Sequence, residues 1–158
     1  MKNTILILAF ISFTYTSLAQ CNCENINRDD STTITQCNTL LVTSNNNTQI
    51  GLSISTNQID FYLGAIIRFK DNGKDVNSSI TIRLEDNNMF SIKLVKSQLG
   101  NMNNSAVCAC VFLLTETQIK MLLQSNIKTI AFSFTDNVLQ MYSATSNADV
   151  LKNQLNCF

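Results

Sequence analysis

The chain has 158 residues, balances 11 basic against 11 acidic side chains, and contains no His, Trp or Pro. Without histidine, Ser-His-Asp and Cys-His catalysis and imidazole metal sites are excluded, and a neutral balance leaves no electrostatic footprint for nucleic acid or an anionic membrane surface. With three Tyr and nine Phe, any stacking platform for sugars or bases would be built mainly from Phe.

Residues 1–19 read as a removable export leader. Lys2 supplies the positive start, Ile5 to Phe13 the apolar stretch, and Ser17-Leu18-Ala19 a small-x-small cleavage signal, so the mature chain is expected to begin at Gln20. The apolar stretch is shorter than the roughly 20 residues that span a hydrocarbon core. Leu18-Ala19 before Cys21 is spaced like a lipidation signal, but Gln20 stands where that signal needs a small residue. The leader resembles those of exported bacterial proteins that end in Leu-Ala-Gln, which implies a secreted or periplasmic location and no activity. Residues 20–158 are long enough for one domain with its own core, at a net charge of about −1.

From Gln20 to Gln36 the chain is polar and reads as an arm or loop tethered by disulfides. Ile50, Leu52 and Ile54 then alternate with Gly51, Ser53 and Ser55, the period of a half-buried strand. Phe61, Leu63, Ala65, Ile67 and Phe69 repeat the pattern, and Asn72-Gly73 beyond them suits a turn of positive φ. Ile80, Ile82 and Leu84, then Phe90, Ile92 and Leu94, predict a hairpin over 79–95 turning at Asp86-Asn87-Asn88, with Arg83, Glu85 and Lys93 on its outer face. Val107 to Leu114 is apolar on both sides and is expected at the centre of a sheet.

Thr115 with Gln118 forms a capping box, and Ile119, Leu122 and Leu123 recur at helical spacing, predicting a helix over about 116–125. Ile130, Phe132 and Phe134 mark another strand, Asp136-Asn137 a turn, and Val138 to Tyr142 its return. A closing helix over about 147–157 carries Leu151, Leu155 and Phe158 on one stripe, with Ser146 as its N-cap. The predicted fold class is therefore α+β and β-rich: a twisted antiparallel sheet or open sandwich with two short helices, stabilised by disulfides. The Asn runs at 45–47, 87–88 and 103–104 are expected in turns, because Asn tolerates left-handed backbone. Asn46-Asn47-Thr48, Asn77-Ser78-Ser79 and Asn103-Asn104-Ser105 also fit the glycosylation sequon.

All six cysteines, Cys21, Cys23, Cys37, Cys108, Cys110 and Cys157, follow the leader and are disulfide candidates in an oxidising compartment. On a strand, Cys108 and Cys110 project to the same side. One economical arrangement bridges them to Cys21 and Cys23 and joins Cys37 to Cys157, although six cysteines allow 15 connectivities. The competing reading makes the two Cys-x-Cys pairs a thiol redox centre or a four-thiolate metal site. Their spacing fits neither the Cys-x-x-Cys of redox sites nor the Cys-x₂₋₄-Cys of structural zinc.

Asp71, Asp75 and Asn77 suggest a calcium loop only superficially, since Gly73 and Val76 occupy positions that need an oxygen ligand and a glycine. The pairs Asp29-Asp30 and Glu85-Asp86 read as solvated turns, and no Ser-Lys pair recommends itself as the core of a cryptic hydrolase. The sequence thus names no catalytic residue, no cofactor and no metal ligand. It points to a non-catalytic binding module of the periplasm or extracellular space, with an unknown protein or surface ligand as partner.

Overall fold

The computed structural model describes residues 21–27 and 32–158. The leader expected at 1–19 and the Asp29-Asp30 pair lie outside the described residues. In chain order the elements are β1 (Cys23–Asn27), β2 (Thr33–Cys37), β3 (Leu40–Ser44), β4 (Thr48–Thr56), β5 (Phe61–Phe69), β6 (Val76–Leu84), β7 (Met89–Met102), β8 (Ser105–Leu114), α1 (Glu116–Gln124), β9 (Ile127–Phe134), β10 (Leu139–Ser143) and α2 (Val150–Leu155). The fold is the β-rich α+β domain that the alternating apolar pattern predicts.

All strand pairs are antiparallel and follow the order β1-β2-β4-β5-β8-β7-β6-β9-β10, with β3 also on β4. The long β7 joins two layers. Its first half pairs with β6, its second half with β8, and the register shifts between Leu94 and Lys96. Val95 is the extra residue of that bulge and stands 58% exposed. A bulge bends and twists its strand, and here it folds one continuous ladder over on itself.

The inner faces meet through Phe112 on Phe132, with ring centroids 6.4 Å apart, and Phe69 on Phe134 at 5.9 Å. Phe112, Phe132 and Phe134 are fully buried, each worth roughly 1.5–3 kcal/mol of transfer free energy. Ile50, Leu52, Ile54, Leu63, Ile67, Ile80, Ile82 and Ile92 complete the core, all on the faces that period-two alternation assigns inward.

The turns account for the asparagines. Asn87, Asn103, Asn104 and Asn137 all adopt positive φ, and Asn103-Asn104 makes the two-residue turn between β7 and β8. Asn72-Gly73 behaves otherwise, because neither residue adopts positive φ there. β5 does not pair with β6, so the 70–75 connection crosses between layers and no hairpin forms. Gly73 is needed for space: a Cβ there would sit 2.7 Å from the Ala106 Cβ and 2.9 Å from Leu99 Cδ1. The polar arm also differs from the loop expected, since β1 and β2 form a hairpin.

α1 begins at the predicted capping box, in which the Gln118 amide N–H donates to Thr115 Oγ1 and the Thr115 N–H donates to Gln118 Oε1. α2 is shorter than expected, and Ser146 does not cap it. Its N-cap is Asp149, whereas Ser146 Oγ donates to the Leu41 carbonyl and ties the preceding loop to β3. Arg83, Glu85 and Lys93 do not pair with one another either. Arg83 donates to Asn87 Oδ1, Glu85 accepts from Asn126, and Lys93 stands opposite Ser79.

One edge of β4 is shared by two short strands. β3 covers Gln49 to Leu52 and β2 covers Ser55 and Thr56, which leaves a gap between them. Gln154 of α2 fills that gap. Its Oε1 accepts from the Ile54 N–H at 2.7 Å, and its Nε2 donates to the Asn38 carbonyl at 2.7 Å. The side chain is only 8% exposed, so one amide replaces a missing stretch of strand.

Candidate functional site

A polar cleft of about 580 Å³ opens where the two layers come apart beside β10. Three segments wall it: the β3–β4 turn, the 70–75 connection and the inner side of β10. In the turn, Asn45 Oδ1 accepts from the Asn47 and Thr48 N–H groups at 2.9 and 2.7 Å, a local Asx arrangement that fixes its shape. The Lys70 N–H donates to the Asn47 carbonyl at 2.9 Å and joins this wall to the connection. Phe69 forms an apolar floor, braced from beneath by Phe134.

Asn46, Asn47, Asn72 and Gln140 bring amide groups to the lining, together with Asp71, Lys74 and Tyr142. Lys74 Nζ lies 2.6 Å from Asp136 Oδ2, and the hydrogen bond it donates holds that carboxyl below its ordinary range. Tyr142 donates to Gln140 Oε1 at 2.6 Å. Burial raises its phenol above the ordinary value, opposed by a hydrogen bond with Thr48 and by the charge of Lys74. The lining is thus a set of amide donors and acceptors beside the rings of Phe69 and Tyr142, with Lys74, paired to Asp136, and Asp71 as its charged side chains.

Of these residues the sequence singled out as a site only Asp71, in the calcium-loop pattern, and Asn46, in a glycosylation sequon. The Asn45-Asn46-Asn47 run was visible as a turn, but nothing in it tells that Gln140 and Tyr142 arrive from the last strand. Asp71, Asp75 and Asn77 are not brought together: Asp71 lines the cleft, Asp75 turns toward Cys108, and Asn77 is exposed on β6. Glu85 accepts from Asn126 beyond α1, and Asp86 accepts from the N–H and side-chain amide of Asn88 within its turn. Among the described residues, no three His, Cys, Asp or Glu side chains are grouped to hold a metal ion.

The cysteine arrangement corrects the economical pairing. Cys21 bridges Cys157 and Cys23 bridges Cys37, while Cys108 and Cys110 are free thiols. The reason is topological. β1 pairs with β2 at the sheet's edge, with Cys23 directly opposite Cys37, whereas β8 is enclosed by β5 and β7 and out of the arm's reach. A four-thiolate site from the two Cys-x-Cys pairs is likewise not assembled. A Cys21 sulfur bonded to Cys157 also has no valence for a lipid thioether.

No protein-family model, curated protein or solved structure matches this chain. No helix among the described residues is long and apolar enough to cross a membrane.

Proposed function

We propose that the protein is an exported, non-catalytic binding module, secreted or periplasmic, which holds an uncharged polar group of an extracellular partner in the cleft beside β10. The observation that carries the reading is the chemistry of the lining. Amides from Asn46, Asn47, Asn72 and Gln140, on a volume of about 580 Å³, offer paired donors and acceptors over the Phe69 ring. Such a surface hydrogen-bonds hydroxyl- or amide-bearing groups. The walls are tied together by the hydrogen bond from the Lys70 N–H to the Asn47 carbonyl and by the Asx turn at Asn45, which limits the entropy lost on binding.

The test is affinity capture from the native periplasm or medium followed by mass spectrometry, run beside Asn72→Arg and Gln140→Arg, which fill the cleft with charge. The reading expects a specific partner retained by the native protein and lost from both variants. Capture indifferent to the variants, or turnover of a model substrate by purified protein with no specific partner, would sink it.

A further inference from the structure

Cys108 and Cys110 lie side by side on the inner face of β8, 0% and 2% exposed, with their sulfurs 3.5 Å apart. Cys108 also donates to Asp75 Oδ1 at 3.4 Å, and that same oxygen accepts from the Val76 N–H at 2.9 Å. Asp75 ends the connection whose Asp71, Asn72 and Lys74 wall the cleft. A dithiol is therefore hydrogen-bonded to the last residue of a cleft wall, in a chain whose other four cysteines are already bridged.

We propose that Cys108 and Cys110 form a redox-convertible dithiol whose closure to a disulfide releases the 70–75 connection. The inference is independent of what the cleft binds. Two residues apart on a strand, their Cα atoms are separated by about 6.6–6.8 Å, at the upper limit for a disulfide. The bond closes only if β8 contracts locally, against ladders to β5 and β7 on either side. Strained bridges are readily reduced, so a Cys108–Cys110 bond is labile.

The oxidant is an external disulfide, R–S–S–R. In a locally opened state that admits the reagent to this buried pair, Cys108 loses its proton and attacks one sulfur of R–S–S–R, forming a mixed disulfide and expelling R–S⁻, which takes that proton. Cys110 then loses its proton and attacks Cys108 Sγ, and the second R–S⁻ leaves and is protonated. Two protein thiols are oxidised and one disulfide is reduced to two thiols. The order follows from the hydrogen bond between the pair, which lowers Cys108 and, with burial, raises Cys110. Closure removes the proton that Cys108 gives to Asp75, leaving Oδ1 of this half-buried carboxyl with the Val76 N–H alone.

The experiment treats folded protein, its two native bridges intact, with 2-hydroxyethyl disulfide, then alkylates under denaturing conditions and measures mass. Expected are loss of both alkylatable thiols, a product lighter by two hydrogens, and amide exchange over 70–76 faster by about tenfold. Cys110→Ser should stop at the mixed disulfide, whereas Cys108→Ser, which lacks the attacking thiol, should react far more slowly. The Cys108→Ala/Cys110→Ala double variant should show no response to the oxidant. Both thiols still alkylatable after prolonged treatment would overturn the dithiol assignment. An internal bridge with unchanged exchange over 70–76 would overturn the coupling to the wall. Should the single variants fail to fold, the native protein's mass and exchange decide the matter alone.

Discussion

Gln154 is the side chain on which the sheet's edge is most exposed to a single change. Gln154→Met keeps length and volume but removes both amide partners, leaving the Ile54 N–H and the Asn38 carbonyl unpaired. The orphaned Ile54 N–H is buried and costs about 1–3 kcal/mol, while the carbonyl of the exposed Asn38 turns to water, so the expected loss is about 2 kcal/mol. With a urea slope of about 2 kcal/mol/M, the midpoint should fall by roughly 1 M at unchanged slope. Gln154→Glu adds a sharper test. An ionised carboxylate accepts from Ile54 but repels the Asn38 carbonyl, whereas the protonated acid supplies one donor and one acceptor as glutamine does. Its folded pKa should therefore be raised, and its stability deficit should be smallest in acid and grow as pH rises. Asn153→Ala, whose amide bonds Asp149 on the exposed side of the same helix, is the control and should cost under about 1 kcal/mol. A Gln154→Met midpoint within about 0.3 M of the native value would refute the idea that this amide mends the edge of β4.

The two bridges should differ in worth. The chain-entropy model gives about 5 kcal/mol for Cys21–Cys157, separated by 136 residues, and about 3 for Cys23–Cys37, separated by 14, so paired Cys→Ala variants should rank in that order in urea unfolding. Tyr142 and Cys110 both have folded pKa values raised above their ordinary 10.0 and 9.0. Their contribution is complete below those values and lost as pH rises through the folded ones; stability should fall above about pH 9, less steeply in Tyr142→Phe and Cys110→Ala. Asn87→Ala, at φ 69°, should cost about 1 kcal/mol by thermal unfolding, while Asn87→Gly is neutral or better; equal losses would show that the backbone angle is not what selects asparagine there. Gly73→Ala drives a Cβ against Ala106 and Leu99 and should lower the melting temperature by several degrees, although no positive φ is involved.

What the residues alone determined is local. Alternation at Ile50-Leu52-Ile54 and Phe61 to Phe69 assigned inner faces because a strand's side chains repeat every two residues. Thr115 and Gln118 started α1 because a capping box needs only a three-residue reach, and asparagine set the turns through its own backbone tolerance. Tertiary structure decided whatever depends on strand order. The pairing of β5 with β8 and not β6 turned Asn72-Gly73 from an expected turn into a crossing, and the edge position of β1 gave Cys37 and Cys157 different partners from those expected. The cleft and the thiol beside Asp75 belong to the same category. Gln140 and Asn46 lie far apart along the chain, and only the bend at Val95 folds one layer onto the other and brings their walls together.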